Sequence, residues 1–388
     1  MIKKTIGFLF IIGFIFSGCS TKEYFGKLSE KEIIEFIIEK QMGATQFKGD
    51  SIFVHVPDNN SLYLSASSIK VSDYASVSPK VGEKQDFSQP VPYTVYAEDG
   101  SSKVYYVKVI VVSNSGNGED TSGFQLPNSS FDLWYETSQS QISYFEIGEN
   151  DQEKTWATGN QGVASAKKLG STADFPSVRH QTGPNKYAAE LTTQNMGPLA
   201  AGAIGGHKGI AAGNIYLGAF VIANLFDAHS VFGYPYSGKP TSFQVDYKYT
   251  PAPGLLDGKL NPVAGEDKLD MYLILEKREG NQVKRLGVAW FRSGDVQTEW
   301  KTIVKDIKYA YGSAPAGLED HEKRVLKFGV DGNQAATNPA EMPYAVWGDI
   351  ATETPTHILV TFTSSYQGDY FIGAPGSKLI VDNFKLIY

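Results

Sequence analysis

Short apolar runs separated by turn-forming residues recur along most of the chain. One such run covers residues 51–56, where β-branched and aromatic residues precede Pro57-Asp58-Asn59-Asn60. Clusters of proline, aspartate, asparagine and glycine favour turns, and β-rich runs between them are typical of strands. The pattern therefore predicts an all-β chain. In its C-terminal part the predicted strands are 242–249, 269–278, 285–291, 300–304, 357–363 and 378–387.

The dipeptide Asp99-Gly100 marks the clearest turn in the N-terminal part. It lies between two β-rich runs, residues 93–97 and 103–112. Asp-Gly between such runs is a strong short-range signal for a hairpin. We therefore expect these two runs to pair as antiparallel strands.

Residues 29–38 fit two patterns. Ser29 and Glu32 have the spacing of a helix capping box, which indicates a helix. Ile34, Phe36 and Ile38 occupy alternate positions, as residues on one face of a strand do. The local pattern by itself leaves both structures open.

The N-terminus has the layout of an export signal. Two lysines precede an apolar run, residues 6–16, that is too short to span a bilayer. The following Phe16-Ser17-Gly18-Cys19 resembles the end of a bacterial lipoprotein signal, in which the cysteine is acylated and becomes the new N-terminus. An ordinary secretory signal is the alternative. We expect removal of residues 1–18, lipidation of Cys19, a polar tether at 19–28, and a lipid anchor in the outer membrane with the protein at the cell surface.

The length indicates the number of domains, and the charge argues against nucleic acid as a partner. Without the signal about 370 residues remain, which favours two domains. The net charge is -7 and there is no long basic block, so nucleic acid is not expected as a partner. Cys19 is the only cysteine, which excludes a disulfide within the chain.

Residues 29–113 resemble the small immunoglobulin-like modules near the N-terminus of Bacteroidetes surface lipoproteins. The resemblance implies an immunoglobulin-like β-sandwich, with residues 34–38 as its first strand and Phe36 inward. It also implies a spacer without established catalytic residues. The segments that carry it are 34–36, 69–75, 78–79, 86–88 and 93–100.

A flexible polar linker, residues 114–123, separates this module from a larger body at 124–388. The many antiparallel strands of that body must close or stack to protect their edges, and a jelly-roll β-sandwich does so. The body resembles the putative carbohydrate metabolism domain of Bacteroidetes lipoproteins, which implies a jelly roll similar in shape to carbohydrate-binding modules, with no settled catalytic set. The segments that carry the resemblance are 126–135, 155–160, 209–218, 232–236, 239–240, 247–251 and 371–384.

A carbohydrate site needs aromatic rings beside amide or carboxylate groups. Tyr234 and Tyr236, next to Pro235, are the first candidates, and the alternative is that they cover the core. Trp156 with Asn160, in a segment that contains glycine and is expected to be a loop, is the second candidate. The other tryptophans are expected to have structural roles in or beside strands: Trp134, Trp290, Trp300 and Trp347.

A structural calcium ion is the one cofactor hypothesis, and no cofactor is required. Asp382 resembles the acid on the last strand that helps to hold calcium in many jelly-roll binding modules. Oxygen ligands from Asn128 or Asp132 would complete such a site, because calcium prefers several carboxylate and carbonyl oxygens. The alternative is that Asp382 caps a turn or faces solvent.

Signals for catalysis are weak. The six histidines lack metal-ligand spacing, and a full Gly-x-Ser-x-Gly motif is absent. A glycosidase needs two carboxylates across a cleft, and the sequence cannot choose between pairs such as Asp267 with Asp270 and Glu319 with Asp320. We therefore predict a surface lipoprotein that binds a glycan or polysaccharide without catalysis. The alternatives are a glycoside hydrolase or lyase, and an adhesin or assembly subunit with a protein partner.

Overall fold

The computed structural model describes residues 27–57, 62–112, 124–139, 141–150, 155–202, 207–222, 228–329 and 336–388. The predicted signal at 1–18, Cys19, most of the tether at 19–28 and the whole linker at 114–123 lie outside these ranges. Within them, no helix has the length and apolar character needed to cross a membrane.

The N-terminal domain is a β-sandwich of a three-stranded and a five-stranded sheet. The first has the order β1-β4-β6 and the second β2-β3-β8-β7-β5, in which β3 and β8 are parallel. Its core contains Phe36 and Tyr93, whose rings meet edge to face. The strands are β1 (Ile33–Ile38), β2 (Met42–Lys48), β3 (Ser51–Pro57), β4 (Tyr63–Val71), β5 (Ser76–Ser78), β6 (Lys84–Asp86), β7 (Val91–Tyr96) and β8 (Ser102–Val112).

The C-terminal domain contains the remaining strands and short helices. The strands are β9 (Trp134–Gln139), β10 (Ile142–Ile147), β11 (Trp156–Ala157), β12 (Ser177–Gly183), β13 (Lys186–Thr192), β14 (Gln194–Asn195), β15 (Ile210–Ala211), β16 (Asn214–Ile222), β17 (Ala228–Phe232), β18 (Tyr234–Pro235), β19 (Ser242–Thr250), β20 (Leu269–Glu279), β21 (Gln282–Ser293), β22 (Gln297–Asp306), β23 (Lys308–Tyr309), β24 (His357–Thr363) and β25 (Lys378–Ile387). The α-helices are α1 (Asn160–Lys168), α2 (Pro198–Gly202) and α3 (Asp320–Lys323), and 3-10 turns occupy Pro339–Glu341 and Gly368–Tyr370.

Two sheets form the sandwich of this domain. The larger sheet has the order β11-β16-β24-β20-β21-β23, with β17 beside β16 and β18 beside β24. The smaller sheet has the order β12-β13-β25-β19-β22. Aromatic residues from both sheets, among them Phe243, Phe362 and Phe384, fill the core between them. The prediction of an all-β jelly-roll sandwich is confirmed.

Most predicted strands are present. Residues 33–38 form β1 with Phe36 only 1% exposed, so the strand alternative is confirmed over the helix. The predicted hairpin is the antiparallel pair β7 and β8. All six strands predicted in the C-terminal part occur, with small differences at their ends. The sequence analysis missed helix α1, which begins within the segment that we expected to be a loop.

The larger sheet has a second buried face. Every residue from Leu269 to Glu276 in β20 is buried, as are residues 358–362 of β24. Ile274 and Leu359 face away from the sandwich core and pack against Leu318 and Leu326. We call residues 310–356 the covering segment, because Leu318, Leu326, Phe328 and Trp347 within it pack against this outer face.

The two domains share apolar contacts. Met42, at the start of β2, is completely buried and belongs to the core cluster of the C-terminal domain. Gly43 has a φ of +83°, and a Cβ atom there would lie 2.8 Å from the ring of Phe124. Ser237 donates a hydrogen bond from its hydroxyl to the Lys40 carbonyl. Direct packing therefore joins the N-terminal domain to the larger domain.

We predict that Gly213→Ala destabilises the C-terminal domain. A Cβ atom at Gly213 would lie 2.6 Å from the Pro176 carbonyl oxygen and closer still to the backbone of Leu191 and Thr192. Backbone atoms cannot move aside as a flexible side chain can, so we expect a loss of about 2–3 kcal/mol. Urea unfolding followed by tryptophan fluorescence measures this loss of unfolding free energy, because all five tryptophans lie in this domain.

Gly202→Ala is the matched control. No atom lies within 4 Å of a Cβ built there, and the residue ends α2, so we expect a change within about 0.5 kcal/mol. Equal stability of the two variants would contradict the prediction.

Candidate functional site

A cavity of about 140 Å³ opens on the outer face of the larger sheet, where the covering segment leaves strands β16, β20, β21 and β24 partly uncovered. We call it the cleft. Its floor consists of strand residues, and its walls come from residues 321–327 of the covering segment and residues 365–370 after β24. Distant parts of the chain therefore meet at this one opening.

Aromatic rings line much of the cleft. Trp290 stacks on Tyr272 with ring centroids 4.1 Å apart, and His321 meets the indole edge at 5.2 Å. Tyr272 is almost fully buried, whereas Trp290, Tyr366 and Tyr370 are partly exposed. Burial lowers the pKa of His321 to about 4, so this imidazole is neutral at neutral pH. The cleft thus combines a buried aromatic floor with accessible rings at its walls.

A buried ion pair crosses the floor. The guanidinium of Arg292 donates hydrogen bonds to both carboxylate oxygens of Asp270, at 2.7 and 2.5 Å. The two residues are direct cross-strand partners on β20 and β21. Arg292 also lies 4.7 Å from the ring centroid of Tyr366. The pair therefore places polar groups in the floor of the cleft, and its two opposite charges offset each other.

Three further polar atoms of the cleft residues are buried without a hydrogen-bond partner in the described ranges. They are Tyr216 Oη, Trp290 Nε1 and Thr361 Oγ1. Polar groups of Ser230, Asp270 and Tyr272 lie near them, but not at hydrogen-bonding geometry. Buried polar groups are normally paired, and unpaired ones often mark a site for water or a ligand. The cleft therefore has unused hydrogen-bonding capacity.

Lys327 and Asp369 face the same cavity from opposite segments. Neither side chain has a hydrogen bond or an ion pair within the part of the chain that the structure covers. Burial lowers the pKa of Lys327, and burial raises the pKa of Asp369 to about 6. Both charges are thus held in a poorly solvated place where a polar ligand would be stabilised.

The family comparison identifies the C-terminal domain. The family model described as "Putative carbohydrate metabolism domain" (PCMD) matches residues 128–387. The chain belongs to this family. A second model, "SGBP, N-terminal", matches residues 33–109. No curated protein matches the chain.

Solved structures with similar folds have low sequence identity. A structure described as a putative glycoside hydrolase from Bacteroides thetaiotaomicron is 22% identical, covering 92% of this chain and 97% of its own, with a TM-score of 0.49. One so described from Bacteroides vulgatus is 19% identical, covering 66% and 96%, with a TM-score of 0.47. A family 11 carbohydrate-binding module of a Clostridium thermocellum cellulase is 12% identical, covering 66% and 94%, with a TM-score of 0.22.

The structure corrects the prediction that Tyr234 and Tyr236 form a binding platform. Their side chains are 3% and 0% exposed. Residues 234 and 235 pair with β24, and Tyr236 shares a 2.8 Å hydrogen bond with Tyr388 inside the PCMD domain. The segment therefore continues the sheet at the domain contact, where no ring face is open to a sugar.

Trp156 and Asn160 are also structural. The Trp156 indole donates to the Pro127 carbonyl at 2.8 Å and packs on Phe131 in the core. Asn160 begins α1, and its fully buried amide bonds to the backbone of Phe145 and Ser177. Neither side chain lines the cleft of the PCMD domain, so this pair is wrong as a binding site.

The fold brings only part of the predicted calcium set together. Burial raises the pKa of Asp382 to about 6, and the negative charges of Asp132 and Asp246 add to the shift. The Asn128 amide, in contrast, bonds to the backbone of Leu133. Asp132 accepts from the Tyr187 N–H. Across the described ranges, no group of three or more acidic, histidine or cysteine side chains is arranged to hold a metal. The geometry does not favour the calcium site, which stays a prediction.

Neither acid pair considered for hydrolysis lines the cleft with both of its carboxylates. Asp270 lines the cleft, but Asp267 is buried and accepts from Ser365 Oγ and Ala374 N. Asp320, beside the helix cap Glu319, pairs with Arg324.

The sequence analysis missed Lys327, Asp369 and the position of Trp290 in the cleft. Trp300 is 41% exposed rather than buried. The available signal was Asp270, a charged residue directly before the apolar run 271–275.

We predict that Asp270→Asn destabilises the PCMD domain by about 3 kcal/mol, because it leaves a mostly buried guanidinium without its countercharge. Asp270 and Arg292 side chains are 3% and 22% exposed. Urea unfolding of the variant, and of a double variant that also carries Arg292→Met, measures the effect. We expect the double variant to recover part of the loss.

Lys70→Met is the control for this prediction. It breaks the Lys70–Glu35 pair, whose side chains are 66% and 31% exposed. Exposed pairs contribute little, so we expect a change of less than about 1 kcal/mol. A similarly small change for Asp270→Asn would contradict a stabilising role for the buried pair.

Proposed function

We propose that the PCMD domain binds a carbohydrate in the cleft. The observation that carries the proposal is the cleft itself, where partly exposed rings of Trp290, Tyr366 and Tyr370 stand beside unpaired polar groups. Sugars present C–H surfaces that pack on aromatic rings and hydroxyl groups that donate and accept hydrogen bonds. A sugar would therefore pack on the exposed rings and bond to polar side chains that line the cavity, such as Lys327 and Asp369.

Binding without hydrolysis agrees best with the acids of the cleft. Hydrolysis of a glycosidic bond ordinarily uses two carboxyl groups with separate roles. Asp270 is engaged by Arg292 through both oxygens, which leaves Asp369 as the cleft acid with no such partner in the described ranges. A glycoside hydrolase or lyase remains the second candidate, since Asp369 has the raised pKa of a general acid.

Display on a membrane completes the proposal. Lipidation of Cys19 would anchor the chain in the outer membrane, with the N-terminal domain as a spacer. Met42 and Gly43 pack against the PCMD domain, which supports a spacer that carries the larger domain rather than one that swings freely from it. The anchored protein would capture glycan at the cell surface. An adhesin or assembly role with a protein partner would use the same anchor.

We predict that Tyr366→Ala weakens carbohydrate binding at least about tenfold, because it removes a partly exposed ring from the cleft wall. Tyr311→Ala is the matched control, since Tyr311 is 69% exposed and lies outside the cleft. A glycan array identifies the ligand, and titration calorimetry with that ligand compares the variants.

The outcomes separate the candidates. Binding that is lost in Tyr366→Ala and kept in Tyr311→Ala supports capture in the cleft. Release of reducing sugar that disappears in Asp369→Asn favours hydrolysis. No carbohydrate binding, together with a tight protein partner, would contradict the proposal and favour the adhesin.

We predict that Cys19→Ser abolishes fatty acylation and moves the protein out of the membrane fraction, because the acyl chains supply the anchor. Mass spectrometry of the N-terminal peptide and cell fractionation measure both effects. A wild-type mature protein without fatty acids would contradict the anchor while leaving the cleft proposal intact.

A further inference from the structure

We infer that Lys327 and Asp369 together hold hydroxyl groups of a neutral sugar, so that the cleft selects neutral over acidic glycans. The inference rests on the proposed function and names the class of carbohydrate. It follows from two opposite charges that line one cavity without forming an ion pair.

Lys327 is nine-tenths buried, with 9% of its surface exposed. Its ammonium lies 4.6 Å from the ring centroid of Tyr370 and 5.3 Å from that of Phe328. Asp369 belongs to the 3-10 turn Gly368–Tyr370 and is half-buried. The charges attract each other across the cavity, but the structure has no hydrogen bond or ion pair between them. Both groups therefore keep their hydrogen-bonding capacity for a ligand in the cavity.

The chemistry of the two groups restricts what that group can be. An ammonium only donates hydrogen bonds, and an ionised carboxylate only accepts them. A hydroxyl group can accept from Lys327 and donate to Asp369 at the same time. A ligand carboxylate or sulfate would accept from Lys327, but Asp369 would repel it. Hydroxyl groups of a neutral sugar therefore match both sides of the pair.

Several charged and titratable groups surround this pair. Asp270 faces Asp369 with a charge that Arg292 offsets, and burial raises the pKa of Asp270 as well. Glu341 and Lys208, which carry opposite charges, both face Lys327. His321 lines the same cavity and is neutral, because burial lowers its pKa. Burial also raises the pKa of the tyrosines near Asp369, which keeps them neutral: Tyr216, Tyr272 and Tyr370.

The direction of the pH dependence follows from Asp369. Burial raises the pKa of this carboxyl to about 6, with Asp270 adding to the shift and Lys327 opposing it. Above that pH the carboxylate accepts from the sugar, and below it the charge is lost. Affinity for a neutral glycan should therefore be steady above pH 7 and about tenfold lower at pH 5. Affinity for an acidic glycan would change in the opposite direction.

The test uses the full mature chain with two groups of probes. Mixed-linkage β-glucan, mannan and starch are neutral, and polygalacturonate and alginate are acidic. We expect binding within the neutral group, weakened roughly 10- to 100-fold by Lys327→Met and by Asp369→Asn, the range for charge-assisted hydrogen bonds. Asp369→Asn should also remove the loss of affinity between pH 7 and pH 5.

The matched control variants carry the same substitutions, Lys to Met and Asp to Asn, on the smaller sheet. Lys301→Met and Asp306→Asn alter exposed residues of β22, outside the cleft, and should leave the affinity unchanged. Circular dichroism and urea midpoints check that the cleft variants fold. If Lys327→Met fails to fold, the pH profiles of the wild type and of Asp369→Asn still test the pair.

Each remaining outcome has one meaning. A neutral glycan that needs Tyr366 but is insensitive to Lys327→Met and Asp369→Asn would overturn this inference and leave the proposed function standing. The inference would also be overturned if polygalacturonate or alginate bound more tightly than the neutral glycans, with an affinity that increases below pH 6. Failure of every glycan probe and of the glycan array would overturn the proposed function itself.

Discussion

Burial of strands β20 and β24 on both faces is the constraint on which the rest of the C-terminal domain depends. One face packs in the sandwich core, and the other lies under Leu318 and Leu326 of the covering segment. A strand buried on both sides removes apolar area from water on both faces, which stabilises the centre of the sheet. The cleft exists because this cover is incomplete near Asp270 and Tyr272.

Two-sided burial also means that charged side chains inside the sheet need partners. Asp270, Glu276 and Arg285 are at most 2% exposed, and such residues are rarely buried unless paired. Asp270 pairs with Arg292, and Glu276 pairs with Arg278 at 2.8 Å. Pairing within the sheet leaves the floor of the cleft polar but almost neutral. Lys327 and Asp369, which lie outside the sheet, are charged residues of the cleft without such a pair in the described ranges.

The contact between the domains gives a structural role to residues that looked functional. Tyr236 bonds to Tyr388, whose hydroxyl donates to the Phe124 carbonyl. The ring of Phe124 in turn lies against Gly43 of the N-terminal domain. Aromatic residues with one polar end suit such a contact, because the ring fills the interface while the hydroxyl satisfies a buried carbonyl. The same properties make tyrosine a good ligand for sugars, so residue type alone could not separate the two roles.

The sequence by itself determined the strands, the two sandwiches and the family. The signals for them are local: alternating apolar residues, turn-forming residues and family motifs. Phe36 as an inward residue of β1 and the hairpin at Asp99-Gly100 follow from such signals. Only the tertiary structure decided the cleft. Its walls join residues 321–327 and 365–370 to strands that begin near residue 214, and no local pattern records which distant segments meet. Trp156 is buried in the core, whereas Asp369 lines the cleft. Which of the two happens to an aromatic or charged side chain depends on the segments that pack over it, and those segments are distant in the sequence.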